Sequence, residues 1–231
     1  SRNMGRHAAL GFAHEGANLA LCTSSKMQDL GQVAEEARAL GVKVVAEKCD
    51  VTDHAAVCDF VKKSHASLGR IDVAVNLAGY RAERNFLDES FDAWNRTIAV
   101  NLSGPFHVCR NVIPHMMERR WGRIINIAGI APYLGVGAAK AMVKLGIVGF
   151  TRGLAREFGA YNITANCVGP GLIAREFDPL VTEKPLTSTP TMMSRKGTPQ
   201  EAVSLMLYLA SEPAAFITGQ CCLVNGGAYF Q

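Results

Sequence analysis

The chain has 231 residues, of which 48% are hydrophobic and 19% charged, so it is long enough to bury one α/β core. Its formal net charge is only +4, and basic residues occur in isolated pairs such as Lys62-Lys63, which argues against nucleic-acid binding. The most apolar window, Ile124–Val143, is interrupted by Asn126 and Pro132, so we expect no membrane span. Seven cysteines without a CxxC spacing, and no basic-then-apolar leader, predict a cytoplasmic, reducing location.

Strand-like and helical segments alternate along the chain. Apolar runs predict six strands, at Ala17–Cys22, Val42–Glu47, Ile71–Asn76, Arg123–Ala128, Thr164–Val168 and Cys221–Val224. Helical spacing of apolar residues predicts six helices, at Arg6–Glu15, Met27–Leu40, Ala55–Leu68, Phe91–Arg119, Ala139–Phe158 and Pro199–Ala210. Apolar strands separated by helices are typical of a parallel sheet covered on both faces. We therefore predict a single α/β domain over residues 1–231, built as a Rossmann-like doubly wound parallel sheet.

Two segments depart from this alternation. No strand-like run precedes the helix at Arg6, although a doubly wound sheet has a central first strand. We expect that strand to lie upstream of residue 1, and without it the next two strands would have no neighbour. Residues 172–198 are rich in Pro, Ser and Thr and lack periodicity. A loop of this length is usually functional or mobile, so we interpret it as a lid over a substrate pocket, with plain disorder as the alternative.

Several short motifs occur in a fixed order along the chain. Residues 1–5, Ser-Arg-Asn-Met-Gly, look like the tail of a TGxxxGxG turn, with Asn3 where a glycine is usual. The later motifs are Asp50-Val51, Asn76-Leu77-Ala78-Gly79, Val100-Asn101-Leu102, Pro170-Gly171-Leu172-Ile173, Ile217-Thr218-Gly219-Gln220 and Asn225-Gly226-Gly227. Together they resemble the short-chain dehydrogenase/reductase family, in particular its 3-oxoacyl-acyl-carrier-protein reductases, over essentially the whole chain.

The resemblance implies a nicotinamide cofactor, and charge indicates which one. NAD enzymes of this shape place a carboxylate after the second strand of the sheet, to hold the ribose 2′-hydroxyl. Here that position reads Cys22-Thr23-Ser24-Ser25-Lys26, with no acid, and a 2′-phosphate would meet hydroxyls and Arg2; alternatively, Arg2 only covers the helix. We predict NADP(H), held by Arg2, Asn3, Met4, Thr23, Ser24, Ser25, Asp50, Val51, Asn76, Ala78, Gly79, Lys144, Pro170, Gly171 and Ile173.

The family resemblance also locates a catalytic site that departs from the family pattern. Its members use a tyrosine as proton donor, a lysine four residues later, a serine that orients the substrate and an asparagine that holds a water. Lys144 and Asn101 match the lysine and the asparagine, whereas Lys140 stands at the tyrosine position and Gly129 at the serine position. The segment from Gly129 to Lys140 is also about two residues shorter than usual. We predict Lys144, Asn101 and Lys140 as the catalytic residues, and no metal site.

Three interpretations of this site stay open. The first is an NADPH-dependent reductase of a small C=N substrate in secondary metabolism, because an iminium carbon accepts hydride without a proton being delivered to oxygen; such relatives occur in alkaloid pathways, and some also template a cyclisation. The second is a carbonyl reductase in which Lys140, or Tyr133 from the nearby loop, replaces the acid. The third is a redox-inactive NADP-binding sensor or scaffold. The resemblance further implies a homo-oligomer, a dimer or tetramer through Phe91–Arg119 and Ala139–Phe158.

Overall fold

The computed structural model describes residues 4–81, 86–175 and 191–230. Strands and helices alternate through these residues as predicted. The strands are β1 (Leu19–Thr23), β2 (Val44–Lys48), β3 (Val73–Asn76), β4 (Gly122–Ile127), β5 (Ile163–Pro170) and β6 (Cys221–Val224). The helices are α1 (Met4–His14), α2 (Met27–Arg38), α3 (His54–Leu68), α4 (Phe91–Ile98), α5 (Gly104–Arg119), α6 (Ala131–Leu134), α7 (Ala138–Phe158) and α8 (Pro199–Ala210). Within the described ranges, no helix combines the length and the apolar character needed to cross a bilayer.

The strands form two parallel sheets. One has four strands in the order β3-β4-β5-β6, and the other is the pair β1-β2, in which Leu19 lies opposite Val44. The expectation that these two strands would lack a neighbour is therefore wrong, since each pairs with the other. Over the described part of the chain, no ladder joins the pair to the four-stranded sheet.

Helix α1 packs against both sheets. Its Ala8 belongs to a core cluster with Ile125 of β4 and Val168 of β5, while its Ala9 packs with Leu19 of β1. Small residues on α1 allow this close approach on two sides. Because all strands are parallel, their carboxyl ends meet at one edge, where ligands bind in folds of this type.

The long predicted helix Phe91–Arg119 is interrupted. It consists of α4, a π-helical turn at Ala99–Ser103, and α5. Pro105 opens α5, and proline has no N–H to continue the hydrogen-bond ladder. Gly104 packs against the loop that precedes α3, and a Cβ at Gly104 would be 2.8 Å from Cγ2 of Val51 in that loop. The π turn, a feature frequent at functional sites, carries the buried Asn101.

A buried chain of polar side chains joins the sheet to α7. The Asn76 amide donates to Oδ1 of Asn126 over 2.8 Å, and the Asn126 amide donates to Oγ1 of Thr151 over 2.9 Å. The Thr151 hydroxyl in turn donates to the Ile147 carbonyl over 2.7 Å. Asn126 and Thr151 are almost completely buried, so each lost partner would leave an unsatisfied group in the core.

We expect Asn126→Ala to lower the free energy of unfolding by about 1–3 kcal/mol, because Asn76 and Thr151 each lose a buried partner. Urea denaturation followed by circular dichroism measures the change. Asn95→Ala, on the exposed side of α4, is the matched control and should stay within about 0.5 kcal/mol of the parent. Equal effects of the two substitutions would show that the network does not stabilise the fold.

Candidate active site

The carboxyl ends of β3, β4 and β5 bring most of the predicted site residues to one edge. Ala78 and Gly79 follow β3, Gly129 follows β4, and Gly171 follows β5 at Pro170. A Cβ at Gly171 would lie 2.8 Å from Cα of Asn225, so only glycine allows this loop to pack against the turn after β6.

The described ends of the predicted lid are tied to each other. Ile173 forms a β-bridge with Gly197, the Ala174 N–H donates to the Gly197 carbonyl over 2.8 Å, and the Gly197 N–H donates to the Leu172 carbonyl over 2.9 Å. Residues 176–190 of the lid prediction lie outside the described residues. The part of the lid nearest the sheet is thus anchored at both ends.

Asn101 holds the loop that follows β3. Its amide group donates to the Tyr80 carbonyl over 2.8 Å and to the Thr97 carbonyl over 2.9 Å. Its Oδ1 would be 3.7 Å from a Cβ at Gly79. The amide hydrogens are therefore used within the protein, and the carbonyl oxygen of the side chain is the atom left to accept from a water or a ligand.

Lys144 projects from α7 to the end of β4. Its Nζ donates to the Ile127 carbonyl over 2.9 Å. Burial lowers the pKa of Lys144 to about 8; the nearby Cys167 raises it, and the charge of Lys140 lowers it further. The ammonium has three donors, so two N–H groups remain for a ribose hydroxyl or another acceptor.

Lys140 lies one helical turn before Lys144, in the first turn of α7. It is half-buried, and burial lowers its pKa, followed by the positive charge of Arg81. No side chain caps this end of α7 at Gly137, and its first turn contains no acidic residue. The site therefore concentrates positive charge where a helix dipole is already positive. An ammonium with a lowered pKa is a stronger acid, and it can also bind an anion.

The hydroxyl of Tyr133 is already engaged in a contact with another side chain. Its ring stacks on Tyr229, with centroids 4.9 Å apart at 17°, and its hydroxyl hydrogen-bonds to Cys221. Burial raises the pKa of Tyr133, and the Cys221 contact raises it further. In this arrangement Tyr133 is a poor replacement for the family tyrosine.

The structure also reveals a thiol cluster beneath α7 that sequence reasoning missed. Cys167 of β5 lies opposite Cys221 of β6, and Cys167 Sγ is 3.1 Å from Oγ1 of Thr151. The hydrogen bond between the two thiols lowers the pKa of Cys221 and raises that of Cys167. Only the pairing of β5 with β6 brings these positions together, so no local sequence signal could have identified them.

The predicted adenosine side of the cofactor site lies at the ends of β1 and β2. Thr23 ends β1, and Ser24 and Ser25 are exposed beyond it. Asp50 accepts from the Thr52 N–H over 3.0 Å and forms an ion pair with Arg96 over 3.1 Å. Burial alone would raise the pKa of Asp50, but these hydrogen bonds outweigh it and the pKa is lowered, so the carboxylate is charged and fixed.

The remaining predicted contacts are placed as follows. Met4 begins α1, and Val51 accepts at its carbonyl from His107 Nδ1 over 2.9 Å. Arg2 and Asn3 lie outside the described residues. Three features have the chemistry that a nicotinamide dinucleotide needs. The end of β1 offers hydroxyls and no carboxylate, Asp50 is held in place, and Lys144 has N–H groups that make no hydrogen bond to the described residues. The described residues thus fit this cofactor.

Gly129 has a backbone conformation that a serine would not readily adopt. Its φ is +127°, in the region that favours glycine. Space is not the constraint, because a Cβ would be 3.8 Å from the Pro170 carbonyl oxygen. The glycine at the family's serine position therefore has a backbone conformation that favours glycine.

We expect Gly129→Ser to lower the free energy of unfolding by about 1–3 kcal/mol because of this conformation. Gly31→Ala is the matched control, since Gly31 lies inside α2 with nothing within 4 Å of a Cβ; it should stabilise by about 0.5–1 kcal/mol. Chemical denaturation of both variants gives the two values. If Gly129→Ser is as stable as the parent, the backbone at Gly129 does not require glycine.

Comparison with known proteins identifies the family. Residues 1–229 match the model described as enoyl-(acyl carrier protein) reductase. The chain is 36% identical over 230 residues to the (2S)-[(R)-hydroxy(phenyl)methyl]succinyl-CoA dehydrogenase subunit BbsD of Thauera aromatica, covering 97% of this chain and 91% of that protein. It is 32% identical over 234 residues to the 3-oxoacyl-[acyl-carrier-protein] reductase of Aquifex aeolicus, covering 99% and 94%.

A solved structure gives the same result. A short-chain dehydrogenase/reductase variant from Serratia marcescens superimposes with a TM-score of 0.89 at 30% identity, covering 99% of this chain and 94% of that one. The Rossmann-like parallel α/β architecture predicted from the sequence is thus confirmed, and members of the family use NAD(P)H. The chain belongs to the short-chain dehydrogenase/reductase family of oxidoreductases.

Proposed function

We propose that the protein is an NADPH-dependent reductase of a small organic substrate, in which Lys140 donates a proton to the oxygen of a C=O bond. The position of Lys140, one turn from Lys144 and half-buried with a lowered pKa, carries this proposal. General acid catalysis is most effective when the acid's pKa lies near the working pH, and burial moves Lys140 in that direction. One relative is named for the reduction of a 3-oxoacyl carbonyl and another for the oxidation of a hydroxy compound, which is the reverse of the same reaction type and supports the proposal.

The choice of NADPH rests on charge. Bound at this edge, the cofactor supplies the hydride. Thr23, Ser24 and Ser25 offer hydroxyl donors to a 2′-phosphate, and β1 ends without the carboxylate that would repel it. Lys144 donates to the ribose with the N–H groups that Ile127 does not use, and Asn101 accepts from a water through Oδ1.

A C=N substrate in secondary metabolism, with or without a templated cyclisation, is the second candidate. Lys140 and Gly129 at the family's tyrosine and serine positions favour it, because reduction of an iminium carbon needs no hydroxyl acid. The electrostatics oppose it. A cationic iminium would lie beside Lys140, Lys144 and Arg81, and like charges a few ångströms apart repel by several kcal/mol in a partly buried site. A neutral or anionic carbonyl compound meets no such penalty.

We expect the protein to transfer deuterium from [4-²H]NADPH to diacetyl or acetoacetyl-CoA, read by mass spectrometry. Lys140→Met should lower kcat by about 10²–10⁴-fold and leave the Kd for NADPH within about twofold, whereas Lys144→Met should weaken NADPH binding. In the parent, kcat should fall as pH rises through a pKa below 10.5, because only the ammonium donates. The step assigned to Lys140 should be absent in Lys140→Met, in which Lys144 is the lysine of the site that still titrates.

Lys62→Met, on the exposed side of α3, controls for loss of a surface charge. Deuterium in the amine formed from 2-methyl-1-pyrroline, and in neither alcohol, would favour the C=N alternative. An absence of deuterium from every product, with NADPH still bound, would favour a redox-inactive sensor. Unchanged kcat in Lys140→Met would remove Lys140 from the mechanism.

We also propose that the protein is a dimer or tetramer that associates through α5 and α7. Phe106, Met142 and Leu145 leave apolar surface exposed on these helices, and Phe106 lies 6.5 Å from the Phe150 ring, so the surface continues from one helix to the other. An apolar surface spread over two helices is typical of an association site.

Leu145→Glu should reduce the assembly to single chains of 24.8 kDa, because a charge is costly to bury at an interface. Sedimentation equilibrium measures the mass. Leu87→Glu, which changes an exposed leucine outside these helices, should leave the parent mass unchanged. A parent that sediments as single chains would contradict the proposal.

We also propose a cytoplasmic location, on the basis of the cysteines. The seven cysteines are all free thiols, although Cys167 and Cys221 lie opposite each other in adjacent strands. Free thiols this close persist where the environment is reducing.

A further inference from the structure

We propose that Cys167 and Cys221 form an oxidisable thiol pair, which a hydroperoxide converts to a disulfide and a dithiol reduces again. The pair is a modification site between two strands of the four-stranded sheet. Its chemistry does not depend on the proposed function, whereas the effect of oxidation on turnover does.

The two cysteines are direct neighbours in the sheet. Cys167 of β5 lies opposite Cys221 of β6 in the parallel register, and the Cys167 N–H donates to the Gln220 carbonyl over 2.8 Å. Both side chains belong to one core cluster that includes Ile147 of α7, so they lie on the same face of the sheet. Adjacent strands are about 4.8 Å apart, within the Cα separation of about 4.4–6.8 Å that disulfides span. An S–S bond can therefore form by rotation of the two side chains while the strands stay paired.

The two thiols differ in a way that suits stepwise oxidation. Cys221 is 6% exposed and Cys167 is 0% exposed, so Cys221 is the sulfur that a small peroxide reaches first. The hydrogen bond from the Cys167 thiol lowers the pKa of Cys221, burial raises it, and the hydrogen bond from the Tyr133 hydroxyl lowers it again, so the pKa is lowered overall. The thiolate is the form of cysteine that attacks peroxides. Exposure and hydrogen bonding thus select the same sulfur.

One hydroperoxide accounts for the whole oxidation. The Cys221 thiolate attacks the O–O bond of hydrogen peroxide, which breaks to give the sulfenic acid of Cys221 and a hydroxide that takes the proton lost by the thiol. The Cys167 sulfur then forms the S–S bond, and the sulfenic oxygen leaves as water with the Cys167 proton. Two thiols and one hydrogen peroxide give one disulfide and two waters, and the two electrons pass from the sulfurs to the peroxide oxygens.

A second thiol pair in the same chain provides an internal comparison. Cys22 of β1 hydrogen-bonds to Cys49, but the residue opposite Cys22 in the sheet is Glu47, so these two cysteines are not register partners. Burial raises the pKa of Cys22 to about 12, which keeps it a thiol at neutral pH. We expect this pair to be oxidised more slowly than Cys167 and Cys221.

Oxidation would also act on the loop between β4 and α7. The Tyr133 hydroxyl donates to Cys221 in the reduced protein, and a neutral disulfide sulfur is a weaker acceptor than a thiolate. Tyr133 lies in α6, in which the Leu134 N–H donates to the Ile130 carbonyl over 3.2 Å. Loss of the Cys221 contact removes one of the attachments of this short helix, so its backbone hydrogen bonds should open more often.

This loop leads directly into the part of α7 that carries Lys140. Under the proposed function, a looser loop lowers turnover, because the proton donor is less well placed. The hydrogen bond from Lys144 to the Ile127 carbonyl does not involve either thiol. Oxidation should therefore lower kcat for diacetyl and leave the Kd for NADPH unchanged.

Addition of one equivalent of hydrogen peroxide to the reduced protein tests the pair. The number of free thiols should fall from seven to five, and peptide mapping by mass spectrometry should find Cys167 joined to Cys221. Dithiothreitol should restore all seven, which distinguishes a disulfide from a sulfinic acid. Cys221→Ala should lose its thiols at least about tenfold more slowly, because reactivity follows thiolate character. Cys58→Ala, a change on α3, is the matched control and should form the disulfide as the parent does.

Hydrogen exchange of the backbone amides of residues 130–136 tests the effect on the loop. Exchange there should become about 2–10-fold faster on oxidation, the range expected for loss of one hydrogen bond. Tyr133→Phe should give the same increase without peroxide, since it removes the hydroxyl and leaves the ring. Residues 27–38, which form α2 on the other side of the chain's strand pair, should exchange at the same rate in both states.

Several outcomes would overturn the inference. A disulfide between Cys22 and Cys49, or a sulfinic acid on one cysteine with no S–S bond, would show that Cys167 and Cys221 are not the oxidisable pair. A Cys167–Cys221 disulfide with unchanged exchange in residues 130–136 would refute the effect on the loop. The pair and the reductase are tested separately, because a disulfide that forms in a protein that reduces no carbonyl would confirm the pair and refute the proposed function.

Discussion

Asn126 accepts a hydrogen bond from Asn76 of β3 and donates one to Thr151 of α7, so a single buried amide fixes the helix that carries both lysines against the sheet. Lys144 adds a second attachment at the Ile127 carbonyl. These two contacts to β4 fix the orientation of α7 on the sheet, and Lys140 and Lys144 lie one turn apart on that helix. The concentration of positive charge is thus imposed by the core, because loss of these contacts would leave buried polar groups unsatisfied.

This constraint explains how a familiar scaffold could support an altered site. Under the proposed function, Lys144 binds the cofactor from its position near Ile127, whatever residue stands one turn earlier. A lysine in that place is disfavoured by burial and by the charge of Arg81, and both effects lower its pKa. Under the proposed function, the same burial that makes a charged Lys140 unfavourable for stability makes it a better proton donor.

The sequence predicted the strands and helices of this fold because their signals are local. Each of the six strands lies within a few residues of its predicted bounds, since apolar runs between amphipathic helices leave few other architectures. The π turn at Ala99–Ser103 was missed because Val100, Asn101 and Leu102 continue the helical pattern. The turn is followed directly by the close approach of Gly104 to Val51, a residue distant in the sequence.

The site was predicted less completely, because several of its contacts join residues that are distant in the sequence. Motifs identified Lys144, Asn101 and Lys140 as candidates, but the packing of Tyr133 against Tyr229 and Cys221 depends on how the loop after β4 folds. The φ of Gly129 and the influence of Arg81 on Lys140 likewise depend on tertiary structure. The sequence identified the ionisable and hydrogen-bonding side chains of the site, whereas tertiary packing determines which of them are in contact.

The bridge between Ile173 and Gly197 joins the two described ends of the loop that follows β5. Once the two ends of a loop are joined, a change in its length alters the closure entropy only slightly, by about 0.6 kcal/mol for a doubling. The segment can therefore be exchanged or shortened during evolution while the strand pairing and the lysines stay where they are. If this segment covers the substrate, as the sequence predicts, replacing it would change which substrates are accepted without moving the residues of α7.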